Sequence, residues 1–166
     1  MDISLFSNDY TVRRMEKADV ADIYLLCSKN GLYYQYCPPF VTEQSILDDM
    51  KALPPNKETC DKYYVGYYKG EELIAVMDFI MAYPNEKTAF IGFFMTAVST
   101  QNAGIGSSII DDLCRYLASI RLSSVRLGWV KGNPQAEHFW HKNNFKETGI
   151  TYDTDNYTVV VAQRVL

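Results

Sequence analysis

The sequence has little positive charge and no long hydrophobic run. Its 16 lysine and arginine residues are outnumbered by 20 acidic residues, which gives a formal net charge of -4. The basic residues form no cluster that would neutralise a run of phosphates, which argues against a nucleic-acid partner. The longest apolar run, residues 89–98, has about half of the roughly 20 residues that a membrane helix needs. The sequence therefore predicts neither a nucleic-acid nor a membrane partner.

Metal ligands are also scarce. The only two histidines, His138 and His141, lie three positions apart on one predicted helix. No Cys-x-x-Cys pair occurs among the four cysteines, which are Cys27, Cys37, Cys60 and Cys114. This pattern favours free thiols in a reducing compartment over a metal site. The first ten residues also lack the basic and apolar regions of a secretory leader, so we predict a cytoplasmic protein without a metal.

The composition is that of a folded protein with one core. Of the 166 residues, 48% are hydrophobic, far above the content of disordered chains. The length suits one ordinary domain and is short for two. We therefore predict a single domain over residues 1–166.

Apolar periodicity in the first third of the chain predicts a strand followed by helices. The segment TVRRME is typical of a short strand, and Asp19 is a plausible N-cap for the helix that follows it. The next segment, GLYYQYCPPF, is an aromatic connector that prolines bend. Residues 42–51 then predict a second short helix.

From Tyr63 onward the pattern indicates strands, and helices return later. Three apolar segments separated by turns predict an antiparallel meander: YYVGYY, ELIAVMDFIMAY and TAFIGFFMTAV. The third strand runs into QNAGIG, which opens a helix with apolar residues at helical spacing. A strand, a helix and a strand follow in SVRLGWV, NPQAEHFWHKNNF and TDNYTVVVAQRVL. The predicted fold class is α+β with a mixed sheet.

The glycine-containing loop between strand and helix is a candidate anion site. A dinucleotide fingerprint would place its third glycine at Ile109, and a P-loop would carry a lysine after Gly106, where Ser107 stands. Both alternatives fail. Two interpretations remain. The loop offers a row of backbone N–H groups at a helix N-terminus that would bind a pyrophosphate, or its glycines only make a tight turn.

Two motifs together resemble the GNAT superfamily of acyl-CoA-dependent N-acetyltransferases. QNAGIG is similar to the family's Q-x-x-G-x-G signature, and GNPQAEHFWHKNNF is similar to a second family pattern through Asn133, Ala136, Trp140 and Phe145. The resemblance implies a mixed α/β, GNAT-like fold. Its central sheet would have about six to seven strands, splayed in the middle, with about four helices.

The resemblance also implies a co-substrate, acetyl-CoA, and a reaction in which an amine attacks the thioester directly. The loop would hold the pyrophosphate of coenzyme A, and pantetheine would pair with the strand before the loop, in the gap beside SVRLGWV. The implied cofactor-binding residues are Met95, Thr96, Ala97, Val98, Gln101, Asn102, Ala103, Gly104, Ile105, Gly106, Ser107, Asn133 and Trp140.

Two departures from the family concern proton transfer. Many members have a tyrosine acid where this sequence has Trp140, and some have a glutamate base where it has Phe90. The thiol of coenzyme A should have a pKa of about 8.5, so its thiolate is a tolerable leaving group even when no acid protonates it. Asp78, on the predicted strand face of Val76 and Ile80, is the candidate catalytic base, and a structural aspartate is the alternative.

The acceptor amine is not determined by the sequence. Tyr33, Tyr34 and Tyr36 would bind substrate through cation-π contacts, or would form a half-buried helical lid. Aminoglycosides, polyamines, small amines and peptide N-termini all stay open as the small-molecule or peptide partner, and nothing excludes a homodimer. A non-catalytic acyl-CoA sensor of the same fold is the alternative function.

Overall fold

The chain folds into one seven-stranded mixed sheet with helices packed on both faces, in a computed structural model that describes residues 1–166. The strands, in chain order, are β1 (Thr11–Arg14), β2 (Lys62–Lys69), β3 (Glu72–Ile80), β4 (Thr88–Thr96), β5 (Ser124–Val130), β6 (Lys146–Asp153) and β7 (Thr158–Val165). The α-helices are α1 (Val20–Ser28), α2 (Gly31–Tyr36), α3 (Glu43–Lys51), α4 (Ile105–Ser119) and α5 (Pro134–Lys142).

The sheet opens in its middle, between β4 and β5. The strand order is β1-β2-β3-β4-β5-β7-β6, and β4 and β5 are its only parallel neighbours. Their pairing runs from Thr88 opposite Ser124 to Ile91 opposite Leu127 and then stops. Beyond that point β4 stays paired with β3 and β5 with β7. The mixed sheet predicted from the sequence, and the central splay that the family resemblance implied, are therefore confirmed.

A β-bulge at Gly92 marks the start of the opening. Asp78 of β3 pairs with Phe93 and Phe79 pairs with Ile91, which leaves Gly92 of β4 without a partner. A glycine inside a strand often marks such a bulge, because the extra residue is bent out of the regular ladder. The bend redirects β4 just where it leaves β5.

Two apolar clusters fill the two faces of the sheet. Side chains alternate along β3, so Met77 and Phe79 join one cluster while Val76 joins the other. The first cluster packs under α4 and includes Ile109, Ile110, Leu113 and Leu117. The second packs under α1 and α3 and includes Ile23, Leu26, Cys27 and Ile46. The opening between β4 and β5 therefore lies in a sheet that is covered by an apolar cluster on each face.

The structure differs from the sequence-based expectation in two elements. The connector GLYYQYCPPF contains a short helix, α2, so there are five α-helices rather than about four. Strand β6 had no sequence signal, because most of its residues are exposed and lack apolar alternation.

The predicted helix at residues 42–51 corresponds to α3, whose N-cap Thr42 accepts a hydrogen bond from Ser45 N. None of the helices has the length and apolar character needed to cross a membrane.

Candidate functional site

A cavity of about 500 Å³ occupies the opening between β4 and β5. Its walls are β4 from Phe90 to Thr96, the loop QNAGIG, the start of α4, α5, and β5 from Leu127 to Val130. Part of α2 and the start of β7 close its other end. The cavity therefore runs from a helix N-terminus, across the unpaired edge of β4, to an aromatic end.

The loop before α4 presents unpaired backbone donors to this cavity. The N–H groups of residues 102–107 donate no hydrogen bond inside the protein, and the first α4 bond runs from Ser108 N to Gly104 O. Gly104 has a φ of +81°, in the left-handed region that glycine tolerates best. Consecutive free N–H groups at a helix N-terminus form an anion-binding concavity. The loop has the geometry to bind phosphate oxygens.

Gly106 has a different structural role from Gly104. A Cβ added at Gly106 would lie 3.1 Å from Cε2 of Phe139 and 3.4 Å from Cγ2 of Thr96. This glycine allows α4 to pack closely against α5. A Cβ at Gly104 would meet no heavy atom within 4 Å, so only Gly104 faces open space.

The α5 wall of the cavity is held by a cap and by aromatic packing. Asn133 is buried and its Oδ1 accepts a hydrogen bond from Ala136 N at 3.1 Å, with Pro134 at the first helical position. Trp140 is 8% exposed, and its ring lies 4.9 Å from that of Phe139 and 5.2 Å from that of Phe145. Trp140 is thus both a core residue and part of the cavity wall.

Asp78 lies immediately behind the cavity rather than in its lining. Its Oδ2 is 2.7 Å from Lys62 Nζ, which also donates to Ala52 O at 2.9 Å, while Oδ1 is buried without a partner. Burial raises the pKa of the Asp78 carboxyl, and Lys62 opposes that shift. A Cβ added at Gly92, which lines the cavity, would be 2.8 Å from Asp78 Oδ2. No side chain therefore separates this carboxylate from the cavity at Gly92.

The other end of the cavity is aromatic and carries hydroxyl and thiol groups. The ring of Tyr33 meets that of Phe93 edge-on at 5.8 Å. Two effects raise the pKa of Tyr157 to about 12: the hydrogen bond with the Cys37 thiol, which is the larger, and burial. Burial also holds the pKa of Tyr33 well above its ordinary value, with Cys37 adding to the effect. Both phenols stay protonated and neutral at physiological pH.

Most of the predicted site residues surround this one cavity. Ten of the predicted cofactor-binding residues line it: Met95, Thr96, Gln101, Asn102, Gly104, Ile105, Gly106, Ser107, Asn133 and Trp140. Ala97 and Val98 line a separate surface depression, and Ala103 lines neither. Of the three predicted substrate-binding tyrosines, Tyr33 lines the cavity and Tyr34 and Tyr36 do not. The ring of Tyr34 packs instead against Phe40 at 4.9 Å.

Sequence reasoning missed several residues that line the cavity. They include Asn30, Cys37, Gly92, Phe93 and Tyr157. Gly92 had a signal, a glycine within a strand pattern. Tyr157 had none, because only the fold brings this residue near the C-terminus to Cys37 near the N-terminus.

The two histidines occupy different environments. His138 lines the cavity. The ring of His141 lies edge-on to Trp129 at 5.4 Å, and its Nε2 is 3.8 Å from Glu147 Oε1. No group of three or more potential ligands among His, Cys, Asp and Glu is arranged to hold a metal ion.

Comparison with known proteins gives a family and a set of similar folds. The model of the Acetyltransferase (GNAT) family matches residues 29–145. An acetyltransferase from Thermus thermophilus superposes with a TM-score of 0.74 at 15% identity, covering 95% of this chain and 97% of that one. No curated protein matches the sequence.

Two other solved structures with this fold have more specific names. A mutant of the spermidine N-acetyltransferase from Vibrio cholerae has a TM-score of 0.67 at 18% identity, covering 96% of this chain and 95% of that one. The ribosomal-protein-S18-alanine N-acetyltransferase from Escherichia coli has a TM-score of 0.66 at 13% identity, covering 94% and 93%. At these identities the likeness concerns the fold alone.

Proposed function

The chain belongs to the GNAT family of acetyltransferases, and we propose that it moves an acetyl group from acetyl-CoA to a primary amine of a small molecule or peptide. The observation that carries this proposal is the row of unpaired N–H groups at residues 102–107, which opens onto the cavity at the splayed end of β4. A pyrophosphate is the part of acetyl-CoA that such a row would bind.

The free edge of β4 supports binding of an extended chain such as pantetheine. Ala97 N donates to Ile74 O at 2.8 Å, so the backbone groups of Ala97 and Met95 point toward β3. Because successive residues of a strand point their backbone groups to alternate sides, those of Phe94 and Thr96 face the gap. Thr96 O already accepts from the side-chain amides of Asn30 and Gln101. The N–H groups of Phe94 and Thr96 are the proposed donors to the bound chain.

The proposed chemistry is direct attack of the amine on the thioester. Acetyl-CoA supplies the activated acetyl group. A backbone N–H of β4 polarises its carbonyl oxygen, and Asp78 takes the proton that the attacking nitrogen loses. Trp140 has no acidic proton to give to the sulfur, so the thiolate leaves without a protein acid. The thiol of coenzyme A has an ordinary thiol pKa, near 8.5, so its thiolate can leave without being protonated.

The raised pKa of Asp78 and its place behind Gly92 support the role of base. A carboxylate with a pKa above its usual range is a better proton acceptor near neutral pH. Its ion pair with Lys62 supports the alternative, a purely structural aspartate. An Asp78→Asn variant separates the two roles.

A non-catalytic acyl-CoA sensor is the second candidate function, because both familiar proton-transfer residues are replaced, by Trp140 and Phe90. Thermal unfolding with added acetyl-CoA, NAD or ATP, followed by thiol release with a panel of amines, tests both functions. Of the three ligands, we expect only acetyl-CoA to raise the melting temperature. We expect thiol release only when an amine is added. Stabilisation by acetyl-CoA without turnover of any amine would support the sensor, and stabilisation by NAD instead would refute both.

A further inference from the structure

The end of the cavity formed by Tyr33, Cys37, Phe93 and Tyr157, here called the acceptor pocket, restricts the class of amine. On the basis of the proposed acetyl transfer, we infer that the acceptor has one amino group on an apolar or aromatic body. Polyamines and aminoglycosides, which carry several cationic groups, are the classes that this pocket disfavours.

Two rings of the acceptor pocket, those of Tyr33 and Phe93, are packed against other side chains. Tyr33 contacts Phe93 at 5.8 Å and Tyr34 at 5.0 Å, both edge-on. Phe93 and Tyr33 pack against the second apolar cluster, under α1 and α3. Rigid aromatic walls bind an apolar or aromatic body with little loss of side-chain freedom.

The side chains that line the cavity include no carboxylate to pair with an ammonium group. The basic side chains in the lining are Lys142 and His138, and neither can supply a negative charge. The carboxylate behind Gly92, that of Asp78, is already paired with Lys62 at 2.7 Å. No carboxylate lines the cavity itself: Asp78 lies behind Gly92, and Asp49, whose charge acts on both Asp78 and Tyr157, also lies outside the lining. A second ammonium group that enters the acceptor pocket would contact aromatic rings and neutral hydroxyls but no carboxylate, so its desolvation would be costly.

The phenols of the acceptor pocket do not replace the missing carboxylate. Burial above all keeps the pKa of Tyr33 above its ordinary value, and contact with Cys37 does the same for the pKa of Tyr157, so both stay neutral. They offer hydroxyl and ring contacts to a single polar group. They provide no negative charge for a polycation.

A matched pair of acceptors tests the inference with the unmodified protein. Pentylamine and 1,5-diaminopentane have the same chain and differ only in the second ammonium group. With saturating acetyl-CoA, we expect kcat/KM for pentylamine to be at least about tenfold higher, equivalent to one unpaired charge worth roughly 1.4 kcal/mol. We expect 2-phenylethylamine to exceed spermidine in the same way. Equal or better use of the diamine and of spermidine would overturn the inference while leaving acetyl transfer intact.

A carboxylate introduced into the acceptor pocket should reverse the preference. Cys37→Asp places a negative charge between Tyr33 and Tyr157, and should shift the diamine-to-pentylamine ratio of kcat/KM by about tenfold toward the diamine. Cys60→Asp, at an exposed cysteine outside the cavity, is the matched control and should leave the ratio unchanged. If Cys37→Asp fails to fold, the wild-type comparison decides alone. Failure of every amine while acetyl-CoA still binds would refute the proposed function itself, and the acceptor inference with it.

Discussion

The side-chain amide of Gln101 donates a hydrogen bond to Oδ1 of Asn30 at 2.7 Å, which joins the loop QNAGIG to the segment between α1 and α2. The amide of Asn30 in turn donates to Leu26 O at 3.1 Å and to Thr96 O at 3.3 Å. One buried asparagine therefore connects the end of α1, the open edge of β4 and the loop that we propose to bind pyrophosphate.

Replacing Asn30 by alanine should weaken both the fold and acetyl-CoA binding. The change leaves the Gln101 amide and Thr96 O with fewer partners, which should lower the free energy of unfolding by about 1–3 kcal/mol. Loss of the bond to Gln101 should also raise the KM for acetyl-CoA, because the loop is less well held. Denaturant unfolding and steady-state kinetics measure the two effects. A double-mutant cycle with Gln101→Ala should give a coupling energy of about 0.5–3 kcal/mol; additive effects would contradict the connection.

Gly104→Ala should impair acetyl-CoA binding more than it impairs folding. The left-handed backbone at Gly104 costs an alanine roughly 1–2 kcal/mol, and the new methyl group enters the open space above the loop. Gly70→Ala is the matched control, since Gly70 also has a positive φ and open space but lies in the β2–β3 turn. Both variants should lose similar stability in denaturant, and only Gly104→Ala should raise the KM for acetyl-CoA.

Gly106→Ala should instead act mainly on stability. Its Cβ would lie 3.1 Å from the ring of Phe139, so α4 and α5 would have to move apart. We expect a lower melting temperature in the absence of acetyl-CoA. An unchanged melting temperature would mean that the two helices adjust without cost.

Trp140→Phe should keep most of the turnover. The thiolate is proposed to leave without a protein acid, and phenylalanine retains an aromatic wall beside Phe139 and Phe145. Trp140→Tyr should do no worse, and should help above neutral pH, where free thiolate is protonated less readily. Single-turnover rates with bound acetyl-CoA check both variants. Loss of turnover in Trp140→Phe, with acetyl-CoA still bound, would assign the indole N–H a catalytic role.

Asp78→Asn should lower turnover by about 10²–10⁴-fold, the range for one proton-transfer group, with little effect on acetyl-CoA binding. A base acts when ionised, so wild-type turnover should fall as the pH drops through the pKa of Asp78, which burial raises. The variant should lack this acidic limb. Asp61→Asn, which removes a carboxylate outside the cavity that is paired with Lys57, is the control and should keep the wild-type profile.

The same Asp78 titration should appear in stability. Because burial raises its pKa, the folded protein holds this proton more tightly than the unfolded chain does, and stability falls as the pH rises from the ordinary carboxyl pKa through the raised one. Asp78→Asn should remove that fall and leave Lys62 without its ion pair. Lower stability combined with unchanged turnover per folded molecule would assign Asp78 a purely structural role.

The sequence by itself determined the elements whose physics is local. The loop QNAGIG and its helix could be predicted because a strand, a glycine with special backbone freedom and an apolar helical period follow one another directly. The helix at residues 42–51 was predicted for the same reason, and in the structure Thr42 caps it by accepting a hydrogen bond from Ser45 N, three positions away. These signals predicted an α+β fold with a mixed sheet, and the resemblance of QNAGIG and GNPQAEHFWHKNNF to the family's motifs implied the GNAT-like arrangement.

The tertiary structure alone decided what depends on register and on distant contacts. Asp78 was visible as a carboxylate in an apolar strand, but only the pairing of β3 with β2 and β4 places it beside Lys62 and behind Gly92. Tyr33 and Tyr34 are neighbours in sequence, yet a helix turns about 100° per residue, so one lines the cavity and the other packs against Phe40. Tyr157 reaches Cys37 only because β7 inserts between β5 and β6. Such contacts depend on how separate elements pack together, and no short stretch of sequence contains that information.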